Sequence, residues 1–187
     1  MTTTIGVAIA VPDPWGARLQ QYRTALGDES ARGIPTHVTL VPPYEVQEGQ
    51  MPVVEQHLAE ASATNGAFRL HLRGTGSFRP VSPVVFIVVV EGISGCEQLA
   101  QSVRRGPLAR ELQFPYHPHV TVAHDLDDDR LDEAFADLAT FECEFDVEHF
   151  SLYEHENENG WQPTRHFALT AAAETGGSRT WRRSRGR

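Results

Sequence analysis

Phe114-Pro115-Tyr116-His117-Pro118-His119-Val120-Thr121-Val122-Ala123 is the stretch on which the reading of this chain turns. It has an echo 82 residues earlier, in Ile34-Pro35-Thr36-His37-Val38-Thr39-Leu40-Val41-Pro42-Pro43-Tyr44. Each copy reads His, Val, Thr, aliphatic, after a proline-containing lead-in. Side chains alternate faces along a strand, so residues i and i+2 share one side. His37 then stands with Thr39, and His119 with Thr121. Val38, Leu40, Val120 and Val122 point the other way, where an apolar core would want them. Two such strands, one per half of the chain, predict a duplicated unit that brings two imidazoles and two hydroxyls together.

Phosphoryl transfer without a metal suits that set. Histidine has an unperturbed pKa of about 6.5, so near neutral pH one ring can be neutral and the other charged. The neutral ring takes a proton from the attacking oxygen, and the charged ring gives one to the leaving oxygen. Threonine hydroxyls donate to the non-bridging phosphate oxygens, where charge builds up. Each proton-transfer group contributes about 10²–10⁴ in rate. One His-x-Thr strand alone carries little weight, since such tetrapeptides arise by chance. Two copies in matching context and in different halves outweigh that reading.

The paired motifs resemble those of the 2H phosphoesterase superfamily, and more closely its bacterial branch of 2′-5′ RNA ligase-like proteins. Gly76-Ser77-Phe78-Arg79-Pro80, followed by the apolar run Val84 to Val90, is similar to the central segment of that family. Gly106-Pro107-Leu108 and Phe114 to Pro118 are similar to its approach to the second motif. The likeness spans roughly residues 3 to 172. It implies an α+β fold, bilobal with a pseudo-twofold axis, in which two antiparallel sheets line a central cleft with helices outside. It also implies cyclic-phosphate or phosphodiester chemistry on RNA ends or nucleotides, with no metal or other cofactor, and 2′-5′ ligation as the same attack in reverse. His37, Thr39, His119 and Thr121 carry over as catalytic residues. Candidate substrate contacts are Tyr44, Arg79, Tyr116, His117 and His124. Relatives often carry Arg or Lys shortly after the second motif; His124 stands there in this chain and leaves less fixed positive charge.

Composition narrows the partners. The 187 residues fit one domain, expected over 1–172 with lobes near 1–80 and 81–172 and strand exchange between them. The formal charge is −9, every basic residue is Arg, and five arginines crowd into 178–187. An acidic body is a poor match for a long polyanion, because non-specific nucleic-acid affinity comes mostly from basic contacts with phosphates. A nucleotide or an RNA end fits better. The end of the chain, 173–187, reads as an Arg-rich disordered tail. No run of 18 or more apolar residues occurs and the first residues lack a signal-peptide pattern, so no membrane association is expected. Two cysteines, Cys96 and Cys143, fit a reducing cytoplasm. A monomer is expected.

Along the chain, Ile5 to Val11 reads as a buried strand. A helix of about 12 residues follows Pro12-Asp13-Pro14, with Trp15, Leu19, Tyr22 and Leu26 on one stripe. The first motif strand should end at Pro42-Pro43, which lack ladder donors. Met51 to Ala63 reads as a helix, with His57 at its surface. Phe68, Leu70 and Leu72 alternate with Arg69, His71 and Arg73 as a half-buried strand before a turn or bulge at Gly74-Thr75-Gly76. Pro83 to Val90 reads as a buried strand. Gly95 to Leu112 reads as a helix broken or kinked at Gly106-Pro107, with Arg104 and Arg105 in solvent. The acidic loop Asp125 to Asp129 caps a helix, Arg130 to Leu138, that turns Leu131, Phe135 and Leu138 inward. Phe141 to Tyr153 reads as one long strand with a bulge at His149. Trp161 to Leu169 is the last strand, with Trp161 or Phe167 toward the cleft. His149, His155 and His166 read as structural or surface groups. Two rival functions are a nucleotide or RNA-end binder without turnover, and a metal hydrolase built on His117, His119 and His124. The second lacks a carboxylate at ligand spacing.

Overall fold

The computed structural model describes residues 2–31, 33–156 and 160–170. The tail expected at 173–187 and the tip of the loop before Trp161 lie outside the described residues. The strands are β1 (Thr2–Ala10), β2 (His37–Gln47), β3 (Phe68–Ser77), β4 (Val84–Glu91), β5 (His119–His124), β6 (Glu142–Val147), β7 (His149–Glu156) and β8 (Gly160–Ala168). The helices are α1 (Trp15–Leu26), α2 (Met51–Thr64), α3 (Ile93–Val103) and α4 (Asp128–Asp137).

The fold is α+β, as expected, but the expected two sheets are one. Eight strands pair in the order β6-β3-β4-β5-β2-β1-β7-β8. Every neighbouring pair is antiparallel. The joint at the middle is a single matched pair, Val38 with Val120, between the two motif strands. Read outward from it, β2-β1-β7-β8 lies on one side and β5-β4-β3-β6 on the other. The first of these halves takes its strands from the two ends of the chain, and the second is built from the middle of it.

The apolar stripes explain which face the helices cover. Leu19 and Leu26 of α1, Val54 and Leu58 of α2, Leu99 and Val103 of α3 and Leu131 of α4 share one core with Val38, Leu40, Val120 and Val122. Burying each such side chain contributes about 1.5–3 kcal/mol. α1 starts where the Asp13 carboxylate accepts from the Ala17 amide at 3.0 Å. It stops at Gly27, whose φ of 91° is open to glycine at little cost. Asp127 caps α4 by accepting from the Arg130 amide. No helix among the described residues is long and apolar enough to cross a membrane.

Several elements depart from the sequence reading. β2 continues through Pro42-Pro43 to Gln47. Its register against β1 shifts near those prolines, and β5 pairs with β2 only at Val38, so the missing donors fall at a bulge and a free edge. α3 ends at Val103, short of the break at Gly106, and Leu112 is not part of a helix. Phe135 faces solvent, and Ala134 takes the inward place beside Leu131. His57 is half-buried and donates from Nε2 to the Val103 carbonyl at 3.1 Å, tying α2 to the end of α3. The phase change at His149 is not a bulge. β6 ends there and β7 begins, the first pairing with β3 and the second with β1 in the other half of the sheet.

The turn or bulge expected at Gly74 to Gly76 is a pair of register shifts inside β3. Gly76 lies opposite Phe86, and a Cβ there would meet the Phe86 ring at 2.6 Å. Gly76→Ala should therefore cost about 1–3 kcal/mol, lowering Tm by roughly 2–4 °C per kcal/mol in a domain of this size. Gly49→Ala, where a Cβ meets nothing within 4 Å, should leave Tm unchanged. Equal melting temperatures for the two variants in a calorimetric scan would contradict this packing.

Candidate active site

The single β2–β5 pair sets the geometry. In an antiparallel ladder the residues flanking a matched pair face each other crosswise. Val38 opposite Val120 therefore puts His37 toward Thr121 and Thr39 toward His119, all four on the face away from the helices. Such cross-strand neighbours have Cβ atoms about 4.5–5.5 Å apart. Two further observations agree. Thr39 and His119 line the same cleft. A charge on His119 acts on His37 and lowers its pKa.

Both rings are oriented alike. His37 Nδ1 lies 2.7 Å from the Pro35 carbonyl, and His119 Nδ1 lies 2.7 Å from the His117 carbonyl. A carbonyl only accepts, so each neutral ring carries its proton on Nδ1 and leaves a lone pair on Nε2. His37 Nε2 is 3.1 Å from Thr39 Oγ1, a hydroxyl that donates to it. The prolines of the lead-ins, Pro35 and Pro118, fix the backbone that delivers those carbonyls.

The surroundings keep both rings neutral. Burial drives the His37 pKa down to about 4, against the opposing hydrogen bond to Pro35. Burial also lowers His119, and His117 beside it adds to the effect. The His119 ring meets Phe78 edge-on at 4.9 Å between centroids and Phe86 at 5.3 Å. His117 stacks alongside at 6.2 Å. Phe86 in turn pairs with Thr121 across β4 and β5.

His119, Thr39, Phe78, His117, Arg104 and Tyr116 are among the walls of a cleft of about 640 Å³. His37 lines a smaller hollow of about 40 Å³ next to it, closed by Tyr153 and Trp161, and Thr39 and Pro42 belong to both. Trp161 thus faces the site, whereas Phe167 is buried against Phe150. Tyr116 is held in the wall: its hydroxyl donates to the Thr39 carbonyl at 3.1 Å, and burial pushes its pKa up. Tyr44 lies further along β2, packed against the core edge.

Two candidates sit apart. Arg79 reaches Asp128 at 3.3 Å and Asp132 at 2.6 Å on α4, outside the lining of both hollows. His124 stays on the face of Thr121, because a register shift in β5 against β4 inserts one residue, but it pairs with Asp125 at 3.4 Å. Among the described residues no three His, Cys, Asp or Glu side chains converge as a metal-ligand group. Ser151, buried, meets His166 Nδ1 at 2.8 Å, and His149 packs edge-on to His166.

Sequence reasoning missed Arg104 and Arg110. Arg104 is not in free solvent: its Nε donates to the Leu40 carbonyl at 2.6 Å, and its guanidinium lies 4.4 Å from the Tyr116 ring centroid. Arg110 Nη1 donates to the Pro43 carbonyl at 3.3 Å and lies against Tyr44. Both satisfy edge carbonyls of β2 that β5 leaves unpaired. The only hint in the sequence was Gly106-Pro107, since a helix end beside a motif strand lets a side chain swing back onto it.

Comparison with known proteins places the chain in a family. Residues 11–159 match the model of the 2'-5' RNA ligase superfamily. A Bacillus cytotoxicus protein named "Putative phosphoesterase" is 30% identical over 139 residues, 73% of this chain and 80% of its own length. A similarly named Bacillus licheniformis protein is 29% identical, over 74% of this chain and 82% of its own. The structure of E. coli LigT complexed with 3'-AMP superposes with a TM-score of 0.68 at 21% identity, covering 91% of this chain and 99% of LigT, a likeness of fold. With the match running across both histidine strands, the chain belongs to the 2'-5' RNA ligase superfamily, beside relatives named as phosphoesterases.

Proposed function

We propose that the protein is a two-histidine phosphoesterase that opens 2′,3′-cyclic phosphates on RNA ends or nucleotides without a metal ion. The crosswise placement of His37 and His119 about Val38 and Val120, each ring held at Nδ1 by a backbone carbonyl so that Nε2 is left for chemistry, is the observation that carries this reading. LigT, whose fold the chain shares, has been crystallised with 3'-AMP, NADP+ and ATP, which favours a nucleotide ligand.

His37, the more strongly desolvated ring, serves as the base. Its Nε2 takes a proton from water as the water oxygen attacks phosphorus. His119, protonated on Nε2, gives its proton to the departing ribose oxygen. The cyclic diester becomes a monoester, and the two rings exchange protons with solvent to reset. Thr39 and Thr121 hold the non-bridging oxygens. A bound phosphate supplies the negative charge that favours the imidazolium of His119. Ligation to a 2′-5′ linkage is the same ring opening with a ribose 5′-hydroxyl in place of water: its oxygen bonds to phosphorus as it gives its proton to His37, and the departing 3′-oxygen takes the proton of His119.

Replacing either histidine should leave the fold intact and cut kcat by about 10²–10⁴. The assay is hydrolysis of 2′,3′-cyclic nucleotides with chelator present. Wild-type rates in both His37→Ala and His119→Ala would defeat the assignment.

The pH profile follows from the two shifts. His37 must be neutral, which holds above about pH 4. His119 must be charged, and its pKa lies below 6.5. The profile of kcat/KM should therefore peak on the acid side of pH 6.5 and fall toward pH 8, and the kcat profile should fall at higher pH because bound phosphate holds the proton. A kcat/KM that climbs steadily to pH 8 would contradict these roles.

A further inference from the structure

In this acidic chain many described arginines meet carboxylates: Arg23 with Asp28, Arg69 with Glu144, Arg79 with Asp132, Arg130 with Glu133 and Arg165 with Glu55. Arg104, Arg105 and Arg110 have no ion pair to a carboxylate among the described residues, and they gather in one place. Arg104 and Arg110 line the large cleft together with His119. All three line an adjoining hollow of about 570 Å³ that shares Tyr116 and Leu112 with it.

Their posture is fixed rather than loose. Arg104 lies on Tyr116 and commits its Nε to Leu40; Arg110 lies near Tyr44 and commits Nη1 to the Pro42 and Pro43 carbonyls. The remaining guanidinium nitrogens have no hydrogen-bond partner among the described residues, and a guanidinium fork fits phosphate oxygens. Two carboxylates, Glu97 and Glu111, also border the hollows without pairing to these arginines. On the same cleft Val81 is 72% and Phe114 59% exposed, an unusual degree for large apolar groups, and they offer a flat group somewhere to lie. The register offset is short. Pro42 stands three residues from Thr39, at most about 10 Å along a strand, a span of one or two nucleotides.

We propose that Arg104 and Arg110, with Arg105 at the rim, form a second anion subsite for a further phosphate on the substrate, with the base resting on Val81 and Phe114. This deepens the function proposed above and rests on it. The preferred substrate is then a cyclic-phosphate nucleotide bearing another phosphate, 5′-terminal or internucleotide, rather than a nucleoside cyclic phosphate.

Calorimetric titration tests this without relying on turnover. The probes are 3'-AMP, adenosine 3′,5′-bisphosphate and an adenosine dinucleotide ending in a 3′-phosphate. The wild type should bind at least one two-phosphate probe about tenfold or more tighter than 3'-AMP, the effect of a charge-assisted contact. A gain for the bisphosphate marks a 5′-terminal phosphate, and a gain for the dinucleotide alone marks an internucleotide one. Arg110→Ala should bring the ratio toward one, and Arg110→Lys should retain part of it. Equal affinity for all three probes, or a ratio that survives Arg110→Ala, overturns the subsite. Absence of turnover on every cyclic substrate would defeat the hydrolase reading instead, and the binding ratio would still decide the subsite.

Discussion

One residue pair, Val38 against Val120, holds the two halves of the sheet together. Both side chains are fully buried, so the joint is anchored from the helix side by packing rather than by a long ladder. That economy has a consequence for the opposite face. Because only one pair is matched, the edge groups of β2 beyond it turn to side chains: Tyr116 takes the Thr39 carbonyl and Arg104 takes the Leu40 carbonyl. The strands are coupled at one point and free beside it, and the histidines flank that point. Their separation is governed by strand spacing, which no rotation of a helix or movement of a loop easily alters.

The second constraint is the backbone lock on each imidazole. Two carbonyls, Pro35 and His117, select the same tautomer in both rings. Without that lock a neutral histidine distributes its proton between two nitrogens, and part of the population offers the wrong atom. The lead-in prolines look at first like strand breakers. They belong to the site, since they fix the approach that aims those carbonyls.

What the sequence made legible was local and periodic. The motif strands follow from period-2 alternation, α1 from the stripe through Leu19 and Leu26, and the α4 cap from the acidic loop Asp125 to Asp129, within which the structure selects Asp127. What it hid depends on partners distant in sequence. Nothing near His149 says that β7 will leave β6 and join β1 in the other half; the phase change is visible, its cause is not. Pro42-Pro43 stop a strand only if both edges need donors, and β2 has one edge free there. Phe135 fits an inward stripe as well as an outward one until Ala134 is seen to occupy the core. Arg79 and Arg104 exchange roles for the same reason. Carboxylates of α4, 49 and 53 residues further on, claim the first. A strand edge 64 residues back claims the second. Charge alone could not rank them.

The placement of positive charge is consistent with what the proposed chemistry requires. A cation beside an imidazole lowers its pKa, and Arg23 and His119 already do so at His37. An arginine in contact with both rings would deepen that shift and empty the site of its acid. The arginines instead lie along β2, at Leu40 and at Pro42 and Pro43, where they can attract a polyanionic ligand while the floor of the cleft stays neutral. The ligand's own phosphate then brings the negative charge that favours an imidazolium. In the proposed chemistry protonation of the acid is thereby tied to occupancy: burial holds His119 below the ordinary imidazole pKa when the cleft is empty, and the arriving phosphate raises it again.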